Sequence, residues 1–193
     1  MVIFACVKVG ARYGDDYVHK LKRGIERFCK QRHEFVCFTD KPIDGIACRL
    51  VDSEALPGWW SKLELFKARE PFCYFDLDVV ITGDLTRFVE WDGFGILKDP
   101  WLKGYGSGVM KLTGNEGHVW DKFRPGVMGL MRGDQDWLNV VMPEARTFPD
   151  GWFPSLKADA CIDAPPEGAM SVSFHGFPKM HQISSGWVPD YWR

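Results

Sequence analysis

The sequence predicts an α/β fold: a mostly parallel central sheet flanked by helices, followed by an irregular C-terminal segment. Two observations predict it. In residues 1–80, short runs of apolar β-formers alternate with segments of helical period, the rhythm of a parallel sheet with covering helices. One of those runs, Phe72-Cys73-Tyr74-Phe75, ends in Asp76-Leu77-Asp78, so two carboxylates emerge where a buried strand stops. Open sheets of this class bind ligands outside the carboxyl ends of their strands.

Residues 2–9 read as the first strand, stopped by Gly10 and a loop to Gly14. Asp15 or Asp16 then caps a helix carrying Tyr17, Val18, Leu21, Ile25 and Phe28 at helical spacing. Residues 34–39 form a second strand, halted by Asp40-Lys41-Pro42, and residues 47–51 a short third. Residues 61–68 fit a helix closed by Pro71, and the strand bearing Asp76 and Asp78 follows. Further on, residues 95–98 and 108–112 are strands and 118–123 a helix. Residues 134–141 are a short helix, with Asp134 as its cap and Pro143 as its stop. From Phe148 onward Pro, Gly and aromatic residues break every period. No internal repeat or low-complexity linker divides the chain, and 193 residues suit one domain with one core.

Composition narrows the function classes. Hydrophobic residues at 46% and charged residues at 26% are those of a soluble globular protein. No apolar run approaches the roughly 20 residues that span a bilayer. A formal net charge of -2 carries no global attraction for nucleic acid, although Arg12, Lys20, Lys22, Arg23, Arg27 and Lys30 make one stretch basic. The 6 cysteines include no Cys-x-x-Cys pair, and several lie in apolar runs where a reduced thiol packs as a small hydrophobe. The N-terminus enters a strand directly and has no basic leader, so the expected location is cytoplasmic. Many of the 9 Trp and 14 Phe fall near turns, where flat rings suit stacking on sugars or bases as well as core packing.

In an extended segment residues i and i+2 share a face, so Asp76 and Asp78 can converge on one ion. Hard carboxylate oxygens suit Mg²⁺ or Mn²⁺ better than zinc; the alternative has one Asp capping a turn and the other solvated. His175 is a candidate third ligand, and Lys179, beside Pro178, a point cation for phosphate. Equally, His175 bonds backbone in a Gly/Pro turn. In Asp134-Gln135-Asp136, helix capping accounts for one carboxylate and leaves Gln135 and the second carboxylate for a ligand. The glycines around Ser107 permit close backbone approach or make a turn. Lys62, opening its helix on the ligand side, faces phosphate or solvent.

Together these residues resemble the GT-A nucleotide-sugar glycosyltransferases, and most closely the retaining enzymes around glycosyltransferase family 8. Four pieces occur in that family's order: an N-terminal strand with a Tyr-bearing loop, the segment Phe75 to Asp78, the segment Asp134 to Asn139, and the segment Phe174 to Lys179. Ser107-Gly108-Val109 is similar to the family's Asn-Ser-Gly stretch, with Gly106 where Asn is usual. The resemblance implies a single GT-A, Rossmann-like domain over residues 1–193, with a nucleotide-binding half at 1–80 and a sugar and acceptor half at 81–193. It implies that Asp76, Asp78 and His175 hold Mn²⁺ or Mg²⁺ against the diphosphate of the donor, and that Lys179 binds the diphosphate. Val7, Lys8, Val9, Tyr13 and Asp40 would receive the nucleoside, expected to be uridine of a UDP-sugar. Asp134 and Gln135 would line the sugar pocket, with Lys62 and Ser107 nearby. Retention follows from the family; inversion would require a carboxylate base, for which Asp136 and Asp150 are the candidates. The acceptor would be a glycan, a lipid-linked sugar or another hydroxyl compound, with a nucleic-acid base as a further option. The chain departs from the family in its shortness and in Met180, where Pro is frequent.

Two other classes compete. A nucleotidyltransferase acting on sugar phosphates uses the same sheet and carboxylates, but wants a Gly-rich basic loop after strand one that residues 10–14 match poorly. A non-catalytic carbohydrate- or nucleotide-binding module would explain the tryptophans alone.

Overall fold

The computed structural model describes residues 1–193. Strand β1 (Val2–Lys8) leads through α1 (Asp15–Phe28) to β2 (His33–Thr39) and β3 (Ala47–Leu50). A 3₁₀ turn over Gly58–Lys62 opens into α2 (Leu63–Ala68), and β4 (Pro71–Phe75) follows. The second half adds β5 (Val79–Ile81), α3 (Thr86–Val89), β6 (Gly95–Lys98), β7 (Tyr105–Thr113) and α4 (His118–Lys122). It ends with α5 (Asp134–Val141), β8 (Ser171–Ser173) and α6 (Val188–Tyr191).

The main sheet has the strand order β3-β2-β1-β4-β7-β6. Its first four strands are parallel, while β7 runs antiparallel to both β4 and β6. The chain leaves β1 toward β2 and β3 on one side and comes back on the other at β4. The loops after β1 and β4 therefore diverge, and a crevice opens at the carboxyl edge where the strand order reverses. β5 and β8 form a separate antiparallel pair beside it.

Side-chain alternation divides the core between the two faces of the sheet. Phe4, Cys6, Cys37, Cys73 and Phe75 pack with α1 and the C-terminal segment. Ala5, Phe38, Phe72 and Tyr74 pack with α2 and α5. Helix α1 sits close over β5 at Gly24, where a Cβ would stand 3.3 Å from Ile81. All six cysteines are free, and no helix is long and apolar enough to cross a membrane.

Several local expectations are corrected. Gly14 caps α1, and Asp15 and Asp16 lie in its first turn, where their charge still favours the exposed amides. Pro71 begins β4; Arg69, at φ 52°, is the residue that turns the chain out of α2. Gly133 caps α5, so Asp134 is its first residue and makes no capping bond. Strand β7 starts at Tyr105, earlier than expected, and the irregular tail contributes β8, which pairs Val79 with Ser173.

Phe88 is fully buried and its ring packs against those of Phe75, Phe148 and Phe153. Phe88→Ala should lower the unfolding free energy by about 3–5 kcal/mol, measured by urea titration.

Candidate active site

Strand β4 stops at Phe75, and the Asp76 N–H donates to the Gly108 carbonyl at 2.8 Å. Leu77 turns into the core, and the Asp78 carbonyl accepts the Phe174 N–H at 2.8 Å. The two carboxylates thus stand in a turn between β4 and β5 and not on one strand face as expected, yet both line the same cavity of about 320 Å³.

Two buried lysines neutralise them. Lys62 Nζ lies 2.9 Å from Asp76 Oδ2, 2.9 Å from Ser107 Oγ and 3.7 Å from Asp134 Oδ2. Burial opposes the Lys62 ammonium, but the Asp134 and Asp76 carboxylates outweigh it and raise the pKa. Asp76 is itself pushed up, by burial first, with Lys62 opposing and the Asp78 charge adding to the rise. The Tyr74 hydroxyl donates to Asp76 from two residues upstream, and burial raises that phenol. On the other side Lys179 Nζ donates to Asp78 Oδ2 at 2.5 Å and to the Phe174 carbonyl at 2.6 Å. The Tyr13 hydroxyl reaches Asp78 at 3.3 Å, and burial together with that carboxylate pushes the phenol up.

Three carboxylates thus face two ammonium groups, leaving one negative charge in excess. Asp134 is only 2% exposed, and its Oδ2 has no hydrogen-bond partner because Lys62 is too far for one. A buried acceptor left unpaired costs about 1–3 kcal/mol, so it is expected where a ligand completes the site.

A second lobe of about 260 Å³ opens between the loop after β1 and the 3₁₀ turn, and shares Asp76 and Asp78 with the first. Val7, Lys8, Val9 and Tyr13 wall it. Asp40 stands behind this wall, accepting the Gly10 N–H at 2.9 Å and the Ser53 hydroxyl at 3.3 Å. The bond from the Gly10 amide, with that from the Ser53 hydroxyl, holds its pKa below the ordinary carboxylate range. Asp40 shapes the loop and lines neither lobe.

Gln135, Asp134, His175 and Lys62 all line the first lobe. Ser107 is fully buried beneath Lys62, and Lys179 is buried against Asp78; neither lines a lobe. Asp136 is at the rim, gripped by the Arg132 guanidinium at 2.7 and 2.9 Å and by the Arg132 N–H at 3.0 Å. Those bonds lower its pKa, which leaves a weak base. The His175 ring meets Trp101 edge-on at 4.8 Å, and burial lowers its pKa, so the imidazole is neutral at pH 7. Asp76, Asp78 and His175 share one cavity, but no three acidic, His or Cys side chains close around a common point. Lys62 instead holds Asp76 and Lys179 holds Asp78. Chemically the donor set still suits a hard divalent ion, and the excess negative charge favours one.

Arg12 and Trp59 line both lobes, with the Arg12 guanidinium 5.8 Å from the Trp59 ring. The sequence offered only faint signals for them: an Arg beside the loop Tyr13, and a Trp-Trp pair at a turn.

No protein-family model matches the sequence, and no curated protein matches it. Solved structures do. The galactosyltransferase LgtC, crystallised with donor and acceptor sugar analogs, superposes with a TM-score of 0.72 at 12% identity, covering 98% of this chain and 94% of that one. The glycosyltransferase GlyE of Streptococcus pneumoniae gives 0.69 at 15% identity, covering 98% and 60%. A glycosyltransferase involved in glycosylation of the major capsid of PBCV-1 gives 0.60 at 16% identity, covering 91% and 95%. The architecture is the GT-A fold of these glycosyltransferases.

Lys62→Met would leave Asp76 and Asp134 buried without their cation, and unfolding free energy at pH 7 should fall by about 3–5 kcal/mol. Burial already raises the Asp76 pKa and Lys62 opposes that rise, so without Lys62 the folded state takes up a proton at Asp76 first and the deficit narrows as pH falls. Urea titrations at neutral and mildly acidic pH check both. For Asp40 the sign is opposite. Its folded pKa is depressed, so its stabilisation is full above the unfolded value of about 3.9 and is lost as pH falls through the lower folded one. Melting temperatures of the native protein and Asp40→Asn should differ at neutral pH and converge under strongly acidic conditions.

Proposed function

We propose that this chain is a metal-dependent glycosyltransferase that moves a sugar from a nucleotide-sugar, specifically a UDP-sugar, to an acceptor hydroxyl with retention of configuration. The observation that carries the reading is a pair of lobes meeting over Asp76 and Asp78. A ligand with a nucleoside at one end, a sugar at the other and a diphosphate between them has that shape. The lobe walled by Val7, Val9 and Tyr13 is the more apolar and suits the nucleoside; the lobe holding Asp134 and Gln135 suits the sugar.

A diphosphate placed over two carboxylates is repelled unless cations intervene. Asp76, Asp78 and His175 would hold Mn²⁺ or Mg²⁺, which supplies Lewis acidity toward the leaving diphosphate. With Asp78 so engaged, Lys179 would be free to pair its ammonium with phosphate oxygens. As the anomeric C–O bond breaks, its electron pair leaves with the diphosphate, and Lys179 shares the negative charge that develops. The sugar becomes oxocarbenium-like, and the Asp134 carboxylate and the Gln135 amide oxygen offset its positive charge. The acceptor oxygen bonds to the anomeric carbon on the face the diphosphate leaves, and its proton passes to a departing phosphate oxygen. Asp136 is a poor candidate for the base that inversion requires, because Arg132 already holds it.

Asp78→Asn should reduce turnover by at least about 100-fold and abolish the Mn²⁺-dependent part of UDP affinity in calorimetry. The reading fails if the protein with Mn²⁺ neither binds nor hydrolyses any member of a nucleotide-sugar panel. Release of nucleoside diphosphate, rather than pyrophosphate, separates it from a nucleotidyltransferase.

A further inference from the structure

We infer that a third lobe, beyond His175, is a saccharide subsite that takes the neutral pyranose end of an acceptor. Its role as acceptor site rests on the glycosyl-transfer reading. The lobe measures about 420 Å³, within the range of roughly 300–1,000 Å³ typical of small-molecule sites. It adjoins the sugar lobe directly, because Asp99 and His175 line both. A ring bound there lies next to the place where the donor sugar reacts.

Trp101 falls in the chain between residues that line the two lobes, and lines neither itself. Asp99 and Pro100, just before it, line the third lobe, and Leu102 and Lys103, just after it, line the sugar lobe. Trp101 is 55% exposed although it carries a large, mostly apolar ring. The turn that presents it is fastened at both ends. Asp99 Oδ1 accepts the N–H groups of Trp101 and Leu102, each at 2.8 Å. Asn139 Oδ1 accepts the Tyr105 N–H at 3.1 Å, tying the far end of the loop to α5. Gly104, at φ 117°, permits that approach, since a Cβ there would stand 2.2 Å from Asn139 Oδ1. His175 meets the ring on one side at 4.8 Å, and the part left exposed on this fixed turn between the two linings is a platform for the C–H face of a sugar.

The walls identify the class of sugar. Phe148 and Phe153 supply apolar surface, while Asp99, Asp150 and Asp159 against the single Lys98 leave a net negative lining. The Asp159 carboxylate is fixed by the Ser155 N–H at 2.8 Å. Oriented carboxylates accept hydrogen bonds from vicinal hydroxyls, and the same charges repel phosphorylated or uronic sugars. A neutral pyranose meets both conditions.

Saturation-transfer NMR and calorimetry with maltose, cellobiose and melibiose test this, with UDP and Mn²⁺ titrated into the same preparations. At least one neutral disaccharide should bind, Trp101→Ala should weaken it tenfold or more, and Trp101→Phe should retain most of it. Asp150→Asn should weaken binding several-fold, and UDP affinity should stay within twofold in all three variants. Maltose 6-phosphate and a glucuronic-acid disaccharide should bind at least tenfold more weakly. Absence of neutral saccharide binding with and without UDP, indifference to Trp101→Ala, or preference for the anionic sugars overturns the inference. UDP binding without saccharide binding removes the subsite and leaves the donor reading standing. Trp101-dependent saccharide binding without UDP binding supports the subsite and removes the donor reading.

Discussion

Everything at the carboxyl edge depends on how two buried ammonium groups are shared among three carboxylates. Lys62 is 5% exposed and touches the turn after β4 through Asp76, strand β7 through Ser107 and helix α5 through Asp134. One side chain therefore fixes four elements, counting the 3₁₀ turn that carries it. Desolvating a lysine is costly, and the arrangement is tolerable only because carboxylates and a hydroxyl surround it. Lys179 does the same for the C-terminal segment, binding Asp78 and the Phe174 carbonyl. The balance leaves one negative charge in excess among these five groups.

The sheet explains why those charges meet where they do. Strand order reverses between β1 and β4, so the crevice is a property of topology before any side chain is considered. Alternation along β4 sends Tyr74 toward the α2 face, and Asp76 continues that side, where Lys62 waits. Asp78 falls beyond the turn, beside β5, and β8 brings the tail alongside. The tail then closes the far wall with His175 and, through Phe153 and Trp187, covers the α1 face of the sheet.

Much of this was legible in the sequence. The strands at β1, β2, β4 and β6 and the helices α1, α4 and α5 are marked by period and by Gly, Pro and Asp punctuation, which are local signals. Less was legible at element ends. Pro71 suits the first position of a strand as well as the end of a helix, and its ring chemistry does not distinguish them. Asp134 has the residue type of a cap, but the glycine before it takes that place and the carboxylate turns into the cavity. Ser107 and Asp136 show the same limit: one is buried under Lys62 and the other is held by Arg132, and neither partner is implied by spacing.

The sequence by itself determined the class of fold, the strand that delivers Asp76 and Asp78, and the kinds of side chain available at the crevice. Those follow from periodicity and side-chain chemistry, which act over a few residues. Only the tertiary structure decided which charges pair, which polar groups are left unpaired, and which aromatic rings stay open at the cavity mouths. Lys179 finds Asp78 across 101 residues of chain. Such a contact is chosen by the collective cost of burying charge and by strand order, and neither is written in any local pattern.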